Sequence, residues 1–221
     1  MKKRILHIKN YSPPQEDGWL DIKLSKTVMN KLNQYISVAN ISKKEYLIGH
    51  ISKSLVLIDE ENWFLNNCLI DALTFYNQKF PTYELPVLTS NVPYCLSSFW
   101  VNFQKQYEFN PVHDHSGVYS FVIFVKIPTD WREQHDLPMS KESNEPMASD
   151  FSFVYTNMLG RTKTTLIPLD PTSNGRMLFF PAGLHHTVYP FYNCEEERIT
   201  ISGNIKYYTN PLSKEITERK T

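Results

Sequence analysis

The 221-residue chain has little of three things that would each place it in a familiar class of protein. Its net charge is zero, because 23 basic side chains balance 23 acidic ones, and this argues against broad electrostatic binding to nucleic acid, although a local basic groove stays open. No apolar run is long enough to span a membrane. The three cysteines, Cys68, Cys95 and Cys194, are scattered and form neither a disulfide framework nor a CxxC metal pair. We therefore expect a cytoplasmic protein with no membrane partner.

What the chain does contain favours one compact β-rich domain with a helical N-terminal part. Aromatic residues make up 14% of the sequence, a composition that is typical of strands and argues against disorder. The helical signal lies in residues 1–95, where Ser25 suits the cap of a first helix. A longer amphipathic helix follows the acidic residues at Asp59 and ends at Pro81. These elements are expected to brace one face of a sheet.

Residues 96–210 change to short strands separated by turns, which predicts a barrel or a sandwich. The run from Val118 to Ile127 is apolar on both faces, as in a central strand. The dipeptide Asn174-Gly175 predicts a hairpin between the strands that flank it. The segment 129–150 is polar and too long for an ordinary hairpin loop, so we interpret it as a mobile lid or a disordered insert.

Two histidines precede the long apolar run. On an extended chain the side chains of residues i and i+2 point the same way, so His113 and His115 can reach one ion while Asp114 points away. Taken alone, the pair is explained as readily by two surface histidines in a polar loop.

A second histidine-bearing turn, His185 and His186, follows the proline and glycine of residues 181–183. Adjacent side chains on an extended segment face opposite ways, so we expect one of the two to act as a ligand.

The last strand places Arg198, Thr200, Ser202 and Asn204 on one face and apolar residues on the other. This polar face lies either in water, on an edge strand, or inside a barrel. Inside a barrel, an arginine beside hydroxyl groups suits a carboxylate, because a guanidinium forms two parallel charge-assisted hydrogen bonds. A metal near such an arginine indicates a co-substrate that chelates the metal at one end and is anchored at the other.

Together the segments 110–120, 180–191 and 197–205 resemble the 2-oxoglutarate- and Fe(II)-dependent oxygenases of bacteriophage and bacterial type, within the prolyl-hydroxylase-like superfamily. The resemblance covers residues 99–205. It implies a mainly β fold with flanking helices, built on a double-stranded β-helix (a jelly-roll, cupin-like core). It also implies Fe(II) as the metal, 2-oxoglutarate as co-substrate and O2 as oxidant.

The resemblance assigns a role to each histidine of the two clusters. His113 matches the first metal ligand and His186 matches the distal one. His115 stands where the wider superfamily has the acid of its HxD motif, and Asp114 is the alternative second ligand.

Arg198 matches the anchor of 2-oxoglutarate, with Thr200 or Ser202 in support. Asn102, on the strand before the first motif and on the same face as Trp100, is a further candidate to bind the co-substrate. An inward polar residue with a purely structural role explains Asn102 equally well.

We therefore predict a dioxygenase, a hydroxylase that oxidises a substrate C–H bond while 2-oxoglutarate is decarboxylated to succinate. The substrate is an unidentified small molecule or protein side chain; nucleic acid is disfavoured but open. If the chain is phage-encoded, it acts in the host cytoplasm. Two rivals stand beside this interpretation: a cupin-like metal-binding or isomerase domain, and a phage structural or accessory protein with an inactive site.

Overall fold

The computed structural model describes residues 6–12, 18–43, 48–81, 92–157 and 159–208. Their strands are β1 (Leu6–Ser12), β2 (Trp19–Leu24), β3 (Lys53–Val56), β4 (Tyr94–Gln104), β5 (Asn110–His113), β6 (Tyr119–Lys126), β7 (Phe151–Thr156), β8 (Thr162–Ile167), β9 (Arg176–Pro181), β10 (His185–Val188) and β11 (Arg198–Tyr207). The α-helices are α1 (Lys26–Val38), α2 (Ile70–Lys79), α3 (Trp131–His135) and α4 (Pro138–Lys141), with short 3-10 turns at Glu60–Asn62 and Pro171–Ser173 and a π turn at Leu65–Leu69.

The strands pair into two antiparallel sheets. The major sheet has seven strands in the order β1-β2-β9-β6-β11-β4-β3, and the minor sheet has four in the order β5-β10-β7-β8. The predicted central strand is β6, which lies in the middle of the major sheet. Consecutive strands repeatedly change sheet, as in a jelly roll.

Strict alternation along the central strands separates the two faces of the major sheet. In β6, Phe121 and Ile123 belong to an apolar cluster shared with the helices, whereas Val122 and Phe124 belong to a second cluster shared with the minor sheet. This is the two-residue period of a strand that is buried on both faces. The minor sheet therefore covers one face of the major sheet and the helices cover the other.

Helices α1 and α2 brace the outer face as the amphipathic patterns predict. The hydroxyl of Ser25 accepts a hydrogen bond from the amide of Val28 at 3.3 Å, so Ser25 is the N-cap of α1. The second helical segment is less regular than predicted, since it passes from a 3-10 turn through a π turn into α2. Asp59 caps this segment, and its carboxylate accepts from the amides of Phe64 (2.7 Å) and Leu65 (2.9 Å).

Two expectations about the connections need correction. The segment 129–150 is not a disordered insert: it contains α3 and α4 and ends in the buried pair Ser149 and Asp150. The glycine Gly175 adopts a positive φ of 80°, as the turn signal requires, but no hairpin forms there. Strand β8 pairs with β7 in the minor sheet and β9 pairs with β2 and β6 in the major sheet, so this turn crosses from one sheet to the other.

Among the described residues, no helix is both long and apolar enough to cross a membrane.

Candidate metal centre and anion pocket

Three histidine side chains converge between the two sheets. The ligand atoms of His113, His115 and His186 all lie within 4.8 Å of one another. His113 and His186 are direct cross-strand partners in the minor sheet, since β5 and β10 pair at this position. His115 follows β5 and is held by its backbone amide, which donates to the carbonyl of Ala182 at 2.9 Å. The antiparallel register thus brings the two histidine clusters together.

The backbone orients two of these rings in the same way. Nδ1 of His113 lies 2.7 Å from the carbonyl oxygen of Pro111, and Nδ1 of His186 lies 2.9 Å from that of Leu184, in each case two residues earlier in the chain. A carbonyl oxygen can only accept, so Nδ1 carries the proton in each neutral ring. Nε2 is then left with its lone pair, the state in which a histidine binds a metal.

Burial keeps all three imidazoles neutral. Desolvation lowers the pKa of His113, lowers the pKa of His115 to about 4, and lowers the pKa of His186 well below its usual value. The neighbouring histidines lower the last two further, because each positive charge would repel the next. Neutral rings need lose no proton to bind a cation, so the cluster is ready to bind one at neutral pH.

Apolar side chains enclose the most buried of the three rings. Phe151 stacks on His186 with ring centroids 5.6 Å apart, and Phe180 meets the same ring edge-on at 5.0 Å. His186 is only 4% exposed. Its neighbour His185 is exposed, so one histidine of the adjacent pair joins the cluster.

Arg198 is fully buried at the start of β11, and its guanidinium is only partly satisfied by the protein. Nη2 donates to the carbonyl of Ser149 at 2.8 Å and to its hydroxyl at 2.5 Å. Among the described residues, Nε and Nη1 have no hydrogen-bond partner. The ring of Phe191 lies 5.0 Å from the guanidinium carbon. Buried guanidinium donors without partners are rare, because each costs free energy, and they point to a ligand.

Asp150 is coupled electrostatically to Arg198, but the two do not form an ordinary ion pair. Burial raises the pKa of Asp150 to about 7, and Arg198 opposes this rise. Burial likewise lowers the pKa of Arg198 to about 10, with Asp150 opposing. Asp150 Oδ2 lies 3.0 Å from Nε2 of His135, whose pKa burial lowers, while Oδ1 has no partner in the described structure. Near neutral pH Asp150 is therefore only partly ionised, whereas Arg198 keeps its positive charge.

The histidines and Arg198 open into one cavity of about 530 Å³. Thr200 and Ser202 line it from β11 and Asn102 lines it from β4. The polar face of the last strand therefore lies inside the barrel, and not in water as on an edge strand. The amide oxygen of Asn102 accepts from the hydroxyl of Ser54 at 2.7 Å, which leaves its NH2 group to face a ligand.

The residues present fit a divalent metal and a carboxylate. Three neutral imidazoles whose ligand atoms lie within 4.8 Å of one another form a donor set for iron or zinc, and the two donors of Arg198 without partners in the described structure match a carboxylate. The set differs from the usual two histidines and one carboxylate, because Asp114 is exposed and lies outside the cluster. A metal held here keeps its full positive charge, which an incoming anion balances.

The sequence did not point to Ser149 and Asp150, which lie at the end of the segment interpreted as a lid. Their only signal was a polar pair directly before the alternating apolar residues of β7. The sequence pattern also did not indicate a role for the indole nitrogen of Trp100. Trp100 lines the cavity, and its indole nitrogen is buried with no partner among the described residues.

The structure combines a double-stranded β-helix, three converging histidines and a buried arginine in one cavity, an arrangement that could hold a metal and an anion. Residues 98–204 match the family described as "Putative 2OG-Fe(II) oxygenase". The match and the fold together indicate a 2OG-Fe(II) oxygenase, a class of enzyme that uses Fe(II), 2-oxoglutarate and O2. No curated protein sequence matches the chain.

Solved structures agree on the fold. An oxidoreductase of the 2OG-Fe(II) oxygenase family from Burkholderia pseudomallei superposes with a TM-score of 0.52 at 12% identity, covering 84% of this chain and 80% of its own. A prolyl hydroxylase from Trichoplax adhaerens, in complex with a hypoxia inducible factor peptide fragment, superposes with a TM-score of 0.50 at 14% identity, covering 93% and 88%. The predicted mainly β jelly-roll with flanking helices is confirmed.

Proposed function

We propose that this oxygenase is a hydroxylase whose Fe(II) is held by His113, His115 and His186, and whose 2-oxoglutarate is anchored by Arg198. One observation carries the proposal: three neutral imidazoles and a buried guanidinium with two donors lacking partners open into the same cavity. Bound Fe(II) and 2-oxoglutarate would supply the oxidising chemistry, in which O2 gives one oxygen atom to succinate and one to the hydroxylated product, the co-substrate becomes succinate and CO2, and a substrate C–H bond becomes C–OH.

In this proposal, the protein positions the reactants and excludes water. The carbonyl groups of Pro111 and Leu184 fix the tautomer and orientation of two ligands before any metal arrives. Ser149 holds one edge of the Arg198 guanidinium, so that Nε and Nη1 face the far carboxylate of the co-substrate. Strand β11 also offers two hydroxyl groups to the cavity, those of Thr200 and Ser202, which are two residues apart on the same face.

His115 is our choice for the second ligand in place of Asp114, because its ring lies in the cluster and that carboxylate is exposed. The substrate is a small molecule or a protein side chain. The three cysteines are free, which supports a reducing, cytoplasmic location.

The test is anaerobic addition of Fe(II) and 2-oxoglutarate, followed by absorption spectroscopy. We expect a metal-to-ligand charge-transfer band in the wild-type protein and succinate formation when O2 is admitted. His186→Ala should abolish the band, because one of three ligands is lost, whereas the matched variant His185→Ala should retain it. Arg198→Met, which keeps most of the buried volume, should require far more 2-oxoglutarate for the same band.

Thermal melting of each variant separates loss of the site from loss of the fold. A wild-type protein that shows no band and forms no succinate would refute the proposal. A band that survives His186→Ala in a folded protein would refute the ligand assignment.

A further inference from the structure

The cavity is rich in positive charge and hydrogen-bond donors beyond those that one co-substrate needs. Its described lining includes three cationic side chains, Lys43, Arg198 and Lys206, and one carboxylate, Asp114. Arg198 is already assigned to 2-oxoglutarate in the proposed function, so the cation left to explain is Lys206, which is exposed at the mouth of the cavity.

Every second side chain of β11 from Arg198 to Lys206 lines the cavity, and the two cations lie at opposite ends of this row of side chains. Arg198 and Lys206 belong to the same face of the strand, with three polar side chains between them that also line the cavity. Ser202 lies midway, four residues from each end, which corresponds to roughly 13 Å of strand on either side. The row is therefore symmetric about Ser202.

The metal centre lies near the middle of this row. Ser202 pairs across the sheet with Trp100, and the Trp100 ring meets the ring of His115 edge-on with centroids 5.8 Å apart. A co-substrate that spans from the histidines to Arg198 fills one half of the row. The other half, from the histidines to Lys206, is left for the primary substrate.

The second half is built to receive hydrogen-bond acceptors. The indole nitrogen of Trp100 is a buried donor that has no partner in the described part of the chain, and Trp100 is only 4% exposed. The amide oxygen of Asn204 accepts from the hydroxyl of Ser120 at 2.8 Å, so its NH2 group is the part that faces a ligand. The ammonium group of Lys43 lies 5.8 Å from the centre of the Trp100 ring.

A bulge opens this half of the cavity. The pairing of β4 with β11 shifts by one residue between Asn204 and Ile205, and the adjacent residues Ser97 and Ser98 both line the cavity as a result. Bulges are common beside active sites because they redirect side chains. The hydroxyl of Ser97 donates to the carbonyl of Asn204 at 2.9 Å, so the bulge adds one further hydroxyl group, that of Ser98, to a wall that already presents donors.

We infer that the primary substrate carries an anionic group, a carboxylate or a phosphate, which Lys206 binds at the end of the cavity opposite Arg198, with Lys43 and Trp100 supplying further attraction. This inference rests on the proposed function and names the substrate class of the same site.

The test uses acid and neutral probes of matched size on the protein loaded anaerobically with Fe(II) and 2-oxoglutarate. The pairs are aspartate with asparagine, glutamate with glutamine, and phosphoserine with serine, and the readout is perturbation of the charge-transfer band. We expect at least one acid to bind about tenfold more tightly than its neutral partner. Lys206→Met should weaken that acid about fivefold and leave the neutral partner unchanged.

Lys163→Met is the matched control, because Lys163 is exposed on β8 and does not line the cavity. Lys43→Met should weaken the acid less than Lys206→Met. The phosphoserine arm separates a phosphate from the two carboxylates.

Equal binding of acids and neutral partners, insensitivity of the acids to Lys206→Met, or no binding of any acid to protein with an intact band would each overturn the inference. A protein that forms no band at all would instead refute the proposed function, so the two failures are distinguishable.

Discussion

The inner face of the major sheet has two halves that differ sharply although they belong to one sheet. On β9, Leu178 faces the minor sheet and packs into an apolar cluster without lining the cavity. On β11, two strands away, the residues that face the same way are the buried Arg198 and the hydroxyl residues Thr200 and Ser202, which line a cavity. The first half contributes stability, while the second has buried donors that find no partner among the residues the structure describes.

On the opposite, helix-side face of the major sheet, β9 and β11 both present buried apolar side chains. Phe179 of β9 and Ile201 of β11 are fully buried in the helix-side cluster. The helices and the outer face therefore hold β11 in place whatever its inner face presents. Packing on the outer face therefore offsets the destabilisation caused by the polar site on the inner face, and the sheet stays folded.

The largest effect on stability should come from the apolar half. Leu178→Ala removes a fully buried side chain, and we expect a loss of about 3 kcal/mol in the free energy of unfolding, measured with urea. The metal site should survive, because Leu178 does not line the cavity. Leu159→Ala, the same change at a residue that is 74% exposed, should have almost no effect. A loss as small in Leu178→Ala would contradict the division into two halves.

A glycine at the rim of the polar half should matter almost as much. Gly117 has a φ of 121°, and a Cβ there would lie 2.7 Å from the carbonyl oxygen of Ile205. We expect Gly117→Ala to cost about 2 kcal/mol and to weaken metal binding, because it displaces the turn that follows His115. Gly160→Ala shares the positive φ, at 73°, but meets no atom within 4 Å, and should cost about 1 kcal/mol. Equal costs would mean that the contact with Ile205 is unimportant.

Asp150 should make co-substrate binding depend on pH. Its folded pKa of about 7 lies above the ordinary 3.8, so the free protein loses stability as pH rises through 7 and the buried acid must ionise. A carboxylate bound to Arg198 neutralises the positive charge that favours ionised Asp150, so binding takes up a proton above pH 7. The affinity for 2-oxoglutarate should be constant below pH 7 and should fall by up to about tenfold per pH unit above it.

Calorimetry at several pH values measures this slope. The neighbouring His135 does not replace the effect, because burial lowers its pKa and leaves it uncharged in this range. Asp150→Asn should flatten the dependence while keeping the fold. An unchanged slope in this variant would assign the proton to another group.

The smallest effect on stability should come from the polar half itself. Thr200→Val keeps the shape of a side chain that faces the cavity, so the free energy of unfolding should change by less than about 0.5 kcal/mol. The affinity for 2-oxoglutarate should nevertheless fall about fivefold, the effect of one lost hydrogen bond. Thr164→Val on β8, outside the cavity, is the control. A stability loss comparable to that of Leu178→Ala would mean that Thr200 belongs to the core.

The parts of the site that follow strand periodicity could be predicted from the sequence. Spacing by two residues placed His113 with His115, and it placed Arg198 on the cavity face of β11. The order of the motifs along the chain indicated the family. Local pattern also gave the cap at Ser25 and the central position of β6.

The parts that depend on contacts distant in sequence could not be predicted. The partner of Arg198 is Ser149, 49 residues earlier, and nothing in the local pattern of the segment 129–150 indicates that its end packs beneath a guanidinium. Asn174-Gly175 forms the predicted turn but not the predicted hairpin. The dipeptide indicates a positive φ at the glycine, but it does not indicate which strands pair on either side of the turn. The lid role of the segment stays a prediction.

Two of the three histidines, His113 and His186, occupy a single rung of the minor sheet, and β5, which contributes one of them, is the outermost strand there. β5 pairs with its neighbour at only two registered positions, the other being Asn110 with Val188. An ion bound to both rings would therefore cross-link β5 to β10 at the edge of the minor sheet. Loading the metal should slow amide hydrogen exchange in β5 more than in any other strand, and the edge should become harder for proteases to open.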